Sequence, residues 1–322
     1  MAVLASARYG KDNVRVYKVH RDQATGVQTV TEMTVCCLLE GQIETSYTKA
    51  DNSVVVATDS IKNTIYIKAK EHPVNPPELY ASHLGQHFLD KYAHISAANI
   101  KIVVHRWTRM NIDGKPHPHS FYRDGNETRT VEARITREGI DITSGIVGLT
   151  VLKSTGSAFH GFVRDEFTTL GETWDRILST DVDCGWTWKR MPSIAAVERD
   201  VGRFDAAWQA ARDITMKTFA EDYSASVQAT MYKMCEQILA AVPGVELTNY
   251  SLPNKHYFEV GKFHTDLFLA LYSKGMLLTN STDLSWHKGI KNTGKDAEVY
   301  APQSGPNGLI KCEVARSPKA RI

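Results

Sequence analysis

Short apolar runs that alternate like β-strands, followed by helical patterns, occur in the same order in both halves of the sequence. In the first half, alternation predicts strands over 14–19, 27–39 and 52–58. A helix capped by Asp59 is predicted next, with its buried face formed by Ile61, Ile65 and Ala69. Strands followed by helices are typical of an antiparallel sheet backed by helices.

The second half begins the same order again near Leu149. We predict a strand that ends near Phe162, then a helix capped by Asp165 that carries Phe167, Leu170, Trp174 and Leu178. Loosely matched spacings support a duplication, with Lys49, Ser53, Asp59 and Thr64 corresponding to Lys153, Ser157, Asp165 and Thr169. With a seam at 139–145, these patterns predict two domains, 1–140 and 141–322.

The remaining patterns complete an α+β prediction. Further helices are predicted after Pro77, along the Phe204–Phe219 face, and from Ser224 or Ser226 to Pro243. Further strands are predicted over 100–107, 127–135, 182–189, 246–250, 257–260 and 309–314.

Composition narrows the classes of partner. The 38 basic and 36 acidic residues give a net charge of +2, which does not favour a nucleic-acid or membrane surface. The five cysteines have no metal-type spacing, and no apolar run reaches the roughly 18–20 residues of a membrane span. We expect an intracellular protein that acts on a small substrate, without a leader peptide.

Three clusters place polar groups at the ends of predicted elements. Val227 and Gln228 start a helix, whose free N–H groups favour an anion. Phe159 and Arg176 combine a stacking ring with a planar hydrogen-bonding fork. Each residue also has an ordinary reading, as core, surface ion pair or solvated first turn.

The third cluster is Asn254, Lys255 and His256. Strand alternation places Asn254 and His256 on one face, where an amide and an imidazole suit water binding and proton relay. A histidine at a strand edge without catalytic duty remains the alternative. A metal site at His105, His117 and His119 is a weaker hypothesis, because no cysteine or carboxylate spacing completes it. Phosphate or dinucleotide fingerprints are missing, so no cofactor site is predicted.

One stretch is more specific than these patterns. Between Leu149 and Arg176, a long motif reproduces the uricase signature with its spacing: Leu149, Val151, Leu152, Lys153, Ser154, Thr155, Ser157, Phe159, Phe162, Phe167, Leu170 and Arg176. Segments such as SYTKADNSVVVATDSIKNTIY, HRWTRMNIDGKPHPHSF, ASVQATMYKM and SLPNKHYFE also resemble fungal uricases. The resemblance covers nearly the whole chain.

The resemblance implies two tandem tunnelling-fold (T-fold) domains, which are antiparallel sheets backed by helices, assembling into a barrel-shaped homotetramer with active sites between subunits. It also implies oxidation of urate by O2 and water to 5-hydroxyisourate and hydrogen peroxide, without metal or organic cofactor.

The resemblance also implies residue roles. Phe159 stacks on urate, Arg176 and Gln228 hold its polar edges, Val227 offers its backbone N–H, and Leu170 lines the pocket. Asn254 holds oxygen or water above the ring. Lys11, Thr58 and Asp59 come from a neighbouring subunit, and His256, Thr58 and Lys11 form the proton relay.

Two segments depart from the family. Residues 261–282 have no uricase counterpart that we identify, and we interpret them as a translated intron that interrupts the strand after His256. Residues Ala320, Arg321 and Ile322 only approximate a peroxisomal targeting tripeptide.

Two other functions therefore stay open beside urate oxidation. One is a zinc-dependent enzyme of the pterin-synthesising T-fold kind. The other is a uricase-like protein whose catalysis is impaired by residues 261–282.

Overall fold

The computed structural model describes residues 2–260 and 289–316. Its strands are β1 (Tyr9–Arg21), β2 (Gln28–Gly41), β3 (Ile95–His105), β4 (Thr108–Ile112), β5 (Lys115–Tyr122), β6 (Thr128–Thr136), β7 (Gly139–Lys153), β8 (Leu178–Trp188), β9 (Val245–Glu259) and β10 (Tyr300–Ala315). Its α-helices are α1 (Glu44–Thr48), α2 (Thr58–Glu71), α3 (Pro77–Lys91), α4 (Ile194–Arg199), α5 (Val201–Glu221) and α6 (Val227–Ala241).

Eight strands form one antiparallel sheet in the order β1-β2-β3-β6-β7-β8-β9-β10, and β4 and β5 form a separate hairpin. The sheet consists of two four-stranded units in which two strands, a set of helices and two more strands follow in turn. The units join where Thr136 of β6 pairs with Gly139 of β7. The predicted α+β class, with an antiparallel sheet backed by helices, is confirmed.

The core lies between the helices and one face of the sheet. Apolar side chains at helical spacing on α2, α3, α5 and α6 pack on strand residues at alternate positions. The helix-facing residues of β8 show this alternation, since Cys184, Trp186 and Trp188 are at most 3% exposed. The predicted buried faces of α2 and α5 are confirmed, as are the strand pattern of β8 and the Ser226 cap of α6.

Several predictions of local structure are wrong. Residues 52–54 form a 3-10 helix, and Ala57 rather than Asp59 is the N-cap of α2. The strands predicted at 246–250 and 257–260 are parts of one strand, β9, which ends at Glu259. By contrast, the seam predicted at 139–145 begins at Gly139, where β7 starts and the two units join. The spacing match between Lys49 and Lys153 also fails, because Lys49 follows α1 whereas Lys153 ends the first strand of its unit.

The helix predicted after Asp165 is absent, and β7 ends at Lys153 rather than near Phe162. The Asp165 carboxylate instead accepts hydrogen bonds from the Phe167 N–H at 3.0 Å and the Thr168 hydroxyl at 2.7 Å, which closes a local turn. Phe167 and Trp174 are 81% and 64% exposed, so within residues 2–260 and 289–316 the apolar side chains at helical spacing have no surface on which a helix could pack.

A buried ion pair links the two units. Glu78 of α3 is fully buried and accepts hydrogen bonds from Arg129 of β6 at 2.7 Å and from Ser144 of β7 at 2.7 Å. Arg129 also contacts Asp205 of α5. The first unit thus contacts the second in two places: the Glu78 carboxylate contacts its sheet, and the Arg129 guanidinium contacts its helices.

We predict that Glu78→Gln lowers the free energy of unfolding by about 3 kcal/mol, because it leaves the largely buried Arg129 cation with only the half-exposed Asp205. Glu132→Gln is the matched control. It breaks the exposed pair with Lys101 and is expected to cost less than about 1 kcal/mol. Urea unfolding measures both variants, and equal losses would contradict the prediction.

Candidate active site

The connection from β7 to β8, residues 154–177, carries three of the predicted site residues, Phe159, Leu170 and Arg176. It folds back on itself through backbone hydrogen bonds. Phe159 exchanges two of them with Thr173, at 2.8 and 2.9 Å, and the Arg176 N–H donates to the Ser157 carbonyl at 2.8 Å. These bonds hold Phe159 and Arg176 side by side although 17 residues separate them in sequence.

Arg176 has a hydrogen-bonding group available for a ligand. Its guanidinium carbon lies 5.2 Å from the centre of the Phe159 ring, and burial lowers the pKa of the side chain. Its Nε is buried and has no hydrogen-bond partner within residues 2–260 and 289–316. A half-buried cation with an unused donor beside an aromatic face suits a flat molecule that carries carbonyl groups or negative charge.

The N-terminus of α6 lies against the same connection. Ala158 donates its N–H to the Ser224 carbonyl at 2.9 Å, and Ser224 donates to the Gly156 carbonyl at 3.0 Å. The Ser226 hydroxyl caps the helix by accepting from the Ala229 N–H. The first N–H groups of the helix, at Val227 and Gln228, have no carbonyl partner within the helix and favour a negatively charged or carbonyl-bearing ligand.

Lys153 links these two segments, although we did not predict it as a site residue. Its ammonium donates to the Asp222 carbonyl at 2.7 Å and to the Ser224 hydroxyl at 3.0 Å, and it lies over the Phe219 ring. Burial lowers the pKa of this lysine. The signature motif contains Lys153, but spacing gave no indication that it contacts the segment before α6.

Asn254 and His256 lie on β9, on the face that α6 covers. Asn254 and Val227 line a common small cavity whose other walls are mainly apolar. The His256 ring stacks with the Phe258 ring at a centroid distance of 5.9 Å. The pairing of β9 with β10 shifts between His256 and Asn254, so residues 304–307 bulge out beside the two side chains. Lys255, on the opposite face, pairs with Asp181.

Lys11, Thr58 and Asp59 form a separate group. Lys11 lies on β1 beside an irregularity in its pairing with β2, and Thr58 and Asp59 are exposed in the first turn of α2. A hydrogen bond from Lys62 is the main cause that lowers the pKa of Asp59, and the positive charge of Lys11 also contributes. Lys11 and Asp59 are therefore electrostatic neighbours.

The two groups stand at opposite ends of the sheet. β1 is the first strand, and β9 is six strand spacings away. At about 4.8 Å per spacing, they are roughly 29 Å apart along the sheet. The structure thus brings four predicted site residues to one region: Phe159, Arg176, Val227 and Asn254. Gln228 is exposed in the same helix turn as Val227. The other group, Lys11, Thr58 and Asp59, lies far from this region. Leu170 is 54% exposed on the 154–177 connection.

The other sequence hypotheses concern metals, membranes and the atypical segments. Within residues 2–260 and 289–316, no group of three or more histidine, cysteine or acidic side chains could hold a metal ion. The described part of the chain also contains no helix long and apolar enough to cross a membrane. Residues 261–282 and 320–322 lie outside the described residues, and β9 ends at Glu259, before the first of these segments begins.

Comparison with known proteins identifies the uricase family. The uricase family model matches residues 7–134 and 142–311, and the unmatched residues between them surround the turn from β6 to β7. The chain is 64% identical to the uricase of Emericella nidulans over 323 residues, covering 100% of both proteins. It is also 64% identical to the uricase of Aspergillus flavus over 318 residues, covering 98% of both.

A solved structure agrees with these sequence matches. The crystal structure of the uricase from Arthrobacter globiformis aligns with a TM-score of 0.79 at 35% identity, over 98% of this chain and 96% of that one. Together with the family model and the fungal relatives, this similarity shows that the chain belongs to the uricase family.

Proposed function

We propose that this protein is a urate oxidase, which converts urate, O2 and water to 5-hydroxyisourate and hydrogen peroxide without a metal or organic cofactor. Membership of the uricase family supports the reaction. The observation that carries the assignment to this site is Arg176, whose buried Nε lacks a partner in the described residues while its guanidinium lies beside the Phe159 ring. Urate is flat, anionic and rich in carbonyl groups, which matches this combination.

In the proposed complex, Phe159 stacks on the urate ring and Arg176 holds one polar edge. Gln228 offers a carboxamide that can both donate and accept, and Val227 offers its backbone N–H. Leu170 lines the pocket, and Asn254 holds oxygen or water above the ring. A bound urate ion would occupy the N-terminus of α6, where the free N–H groups favour its charge.

Urate is an electron-rich anion that can give electrons to O2 once it is deprotonated and held flat. Besides holding urate in place, the protein therefore has to transfer protons. Lys11, Thr58 and His256 would move protons between urate, water and the oxygen species, and Asp59 would bind substrate beside them. General acid–base groups of this kind typically contribute about 10²–10⁴-fold in rate. Urate itself supplies the electrons, so the reaction needs no redox cofactor.

We also propose that each active site is shared between two subunits of a homotetramer. Lys11 and Arg176 lie on units at opposite ends of one sheet, so a site that contains both requires a second copy. Among the described strands, β1 and β10 each have a partner on one side only, and unpaired edges readily pair with another chain. Exposed apolar side chains on the 154–177 connection offer further contact area: Val163, Phe167, Leu170 and Trp174.

The division into tandem T-fold domains, 1–140 and 141–322, is part of this proposal. It is supported by the equal strand order of the two units, β1-β2-β3-β6 and β7-β8-β9-β10. Superposing the units tests it, and failure of α2 and α3 to overlay on α5 and α6 would count against the duplication.

We predict that the full chain oxidises urate without an added metal ion. The purified protein, treated with a chelator, is expected to remove urate absorbance with release of one peroxide per urate. Lys11→Met is expected to lower the rate at least about 100-fold, because a relay group is lost. Absence of turnover in a folded oligomer would favour the impaired alternative, and turnover that requires added zinc would favour the pterin-type alternative.

Co-expression of two inactive variants tests whether active sites are shared between subunits. Lys11→Met and Arg176→Gln, each nearly inactive alone, are expected to recover about a quarter of wild-type activity when co-expressed. Half of randomly formed pairs are hybrids, and one of the two symmetric sites in each hybrid combines two intact halves.

The matched control pairs Lys11→Met with Thr58→Val. Both changes lie in the same group, so no hybrid site combines an intact Lys11 with an intact Thr58. No recovery in the first pair, or equal recovery in both pairs, would contradict a shared site.

We propose peroxisomal localisation, since peroxide is a product and residues 320–322 approximate a targeting tripeptide. Replacing Arg321 with Glu in a fluorescent fusion is expected to abolish import, whereas Lys319→Glu, outside the tripeptide, should leave it intact. Import that survives Arg321→Glu would contradict this address.

A further inference from the structure

Three of the five cysteines lie together beneath the second unit of the sheet. Cys184 on β8 and Cys312 on β10 both pair in register with Tyr250 of β9, so the three side chains form a row across neighbouring strands. Cys235 of α6 packs over this row, and its thiol faces the Thr248 carbonyl at 3.9 Å. The thiols of Cys235 and Cys312 therefore lie at the contact between α6 and β10.

Within this cluster, the Sγ atoms of Cys235 and Cys312 are 3.9 Å apart. A disulfide needs about 2.05 Å, so side-chain rotation with a small shift of helix or strand would close the gap. Cys184 and Cys312 are two strand spacings apart, about 9.6 Å, with Tyr250 between them. We propose that Cys235 and Cys312 form a peroxide-responsive dithiol, which hydrogen peroxide converts to an intramolecular disulfide.

The two thiols differ in solvent exposure, and this difference indicates which one reacts with peroxide first. Cys312 is partly exposed and can meet peroxide, whereas Cys235 is fully buried. Burial raises the pKa of Cys235 to about 12, which makes it a poor first nucleophile. Cys312 is therefore the thiol that peroxide attacks, and Cys235 resolves the product.

The reaction balances as follows. The Cys312 thiolate attacks one peroxide oxygen, the O–O bond breaks, and the departing hydroxide takes up a proton to leave as water. The resulting sulfenic acid is attacked by the Cys235 sulfur, which loses its proton as the S–S bond forms and a second water departs. Two thiols are oxidised by two electrons, and one peroxide is reduced to two waters.

The oxidant would arise nearby. Asn254 pairs with Gly308, and Tyr250 pairs with Cys312, four residues further along the same two strands. At about 3.3 Å per residue, this is roughly 13 Å from the proposed position of oxygen chemistry to the dithiol. The source of peroxide rests on the proposed function, but the pairing of the two thiols rests on their geometry alone.

The test separates these two parts. The reduced full chain, without urate, is treated with an equimolar dose of hydrogen peroxide and quenched with catalase. Thiols are then counted under denaturing conditions, and peptides are mapped without reduction. We expect the count to fall from five to three, with a single Cys235–Cys312 cross-link that dithiothreitol reverses.

Single substitutions provide the controls. Cys312→Ser is expected to keep its four remaining thiols at this dose. Cys235→Ser is expected to fall from four to three, because the Cys312 sulfenic acid forms but has no thiol to resolve it. Cys36→Ser should fall from four to two. Cys36 is the matched control because it is also partly exposed but lies on β2, in the other unit. The wild-type mapping stands by itself if a variant fails to fold.

Retention of five thiols, a cross-link through Cys184, or equal thiol loss in Cys312→Ser would overturn the proposal. A second arm replaces added peroxide with urate and air. Cross-linking by peroxide but not by urate would support the dithiol and count against the proposed urate oxidation.

Discussion

The continuous antiparallel ladder from β1 to β10 is the constraint on which the rest of the structure depends. Because β6 pairs directly with β7, the two units cannot fold face to face, and their outer strands are held at opposite ends. Lys11 and Asn254 are therefore separated by the width of the sheet. An active site that uses both, as we propose, can form only between chains. Under this proposal, the same ladder that builds the core leaves a single chain without a complete site.

A site shared between subunits also requires a rigid junction between the two units of each chain. Glu78 and Arg129 are almost fully buried, and their hydrogen bonds connect α3 and β6 with β7. Trp188 of β8 donates to the same Ser144 hydroxyl that donates to Glu78, which extends the network across the second unit. A neighbouring subunit can complete a site only if the two halves of each chain keep a fixed relation.

The sequence predicted regular elements well where a single physical rule decides them. Helical spacing identified the buried faces of α2, α5 and α6, and strand alternation identified the buried tryptophans of β8. It failed in 154–177, where apolar spacing resembles a helix, but the Asp165 turn and the Phe159–Thr173 bridge fix another conformation. Such contacts are non-local and leave no periodic signal.

In the candidate site, too, the sequence identified residues but not the non-local contacts that bring them together. The motif identified Phe159 and Arg176 as residues, but only backbone bonds between distant segments reveal why they meet. Lys153 illustrates what spacing misses, since its role comes from carbonyl and hydroxyl groups about 70 residues later in the chain. Strand order, too, cannot be read from alternation, so the separation of Lys11 from Arg176 emerges only from the assembled sheet.

The candidate site contains buried polar groups whose unmet hydrogen bonds lower the stability of the chain. Within the described residues, Arg176 Nε and the Ser157 hydroxyl are buried without hydrogen-bond partners, and groups of this kind typically cost about 1–3 kcal/mol each. The fold maintains this cost because Lys153 and the bonds to Ser224 hold the connection in place. An anionic ring that satisfied Arg176 would recover part of that free energy on binding. The chain thus keeps a local instability where its proposed substrate binds, and compensates for it in the surrounding backbone.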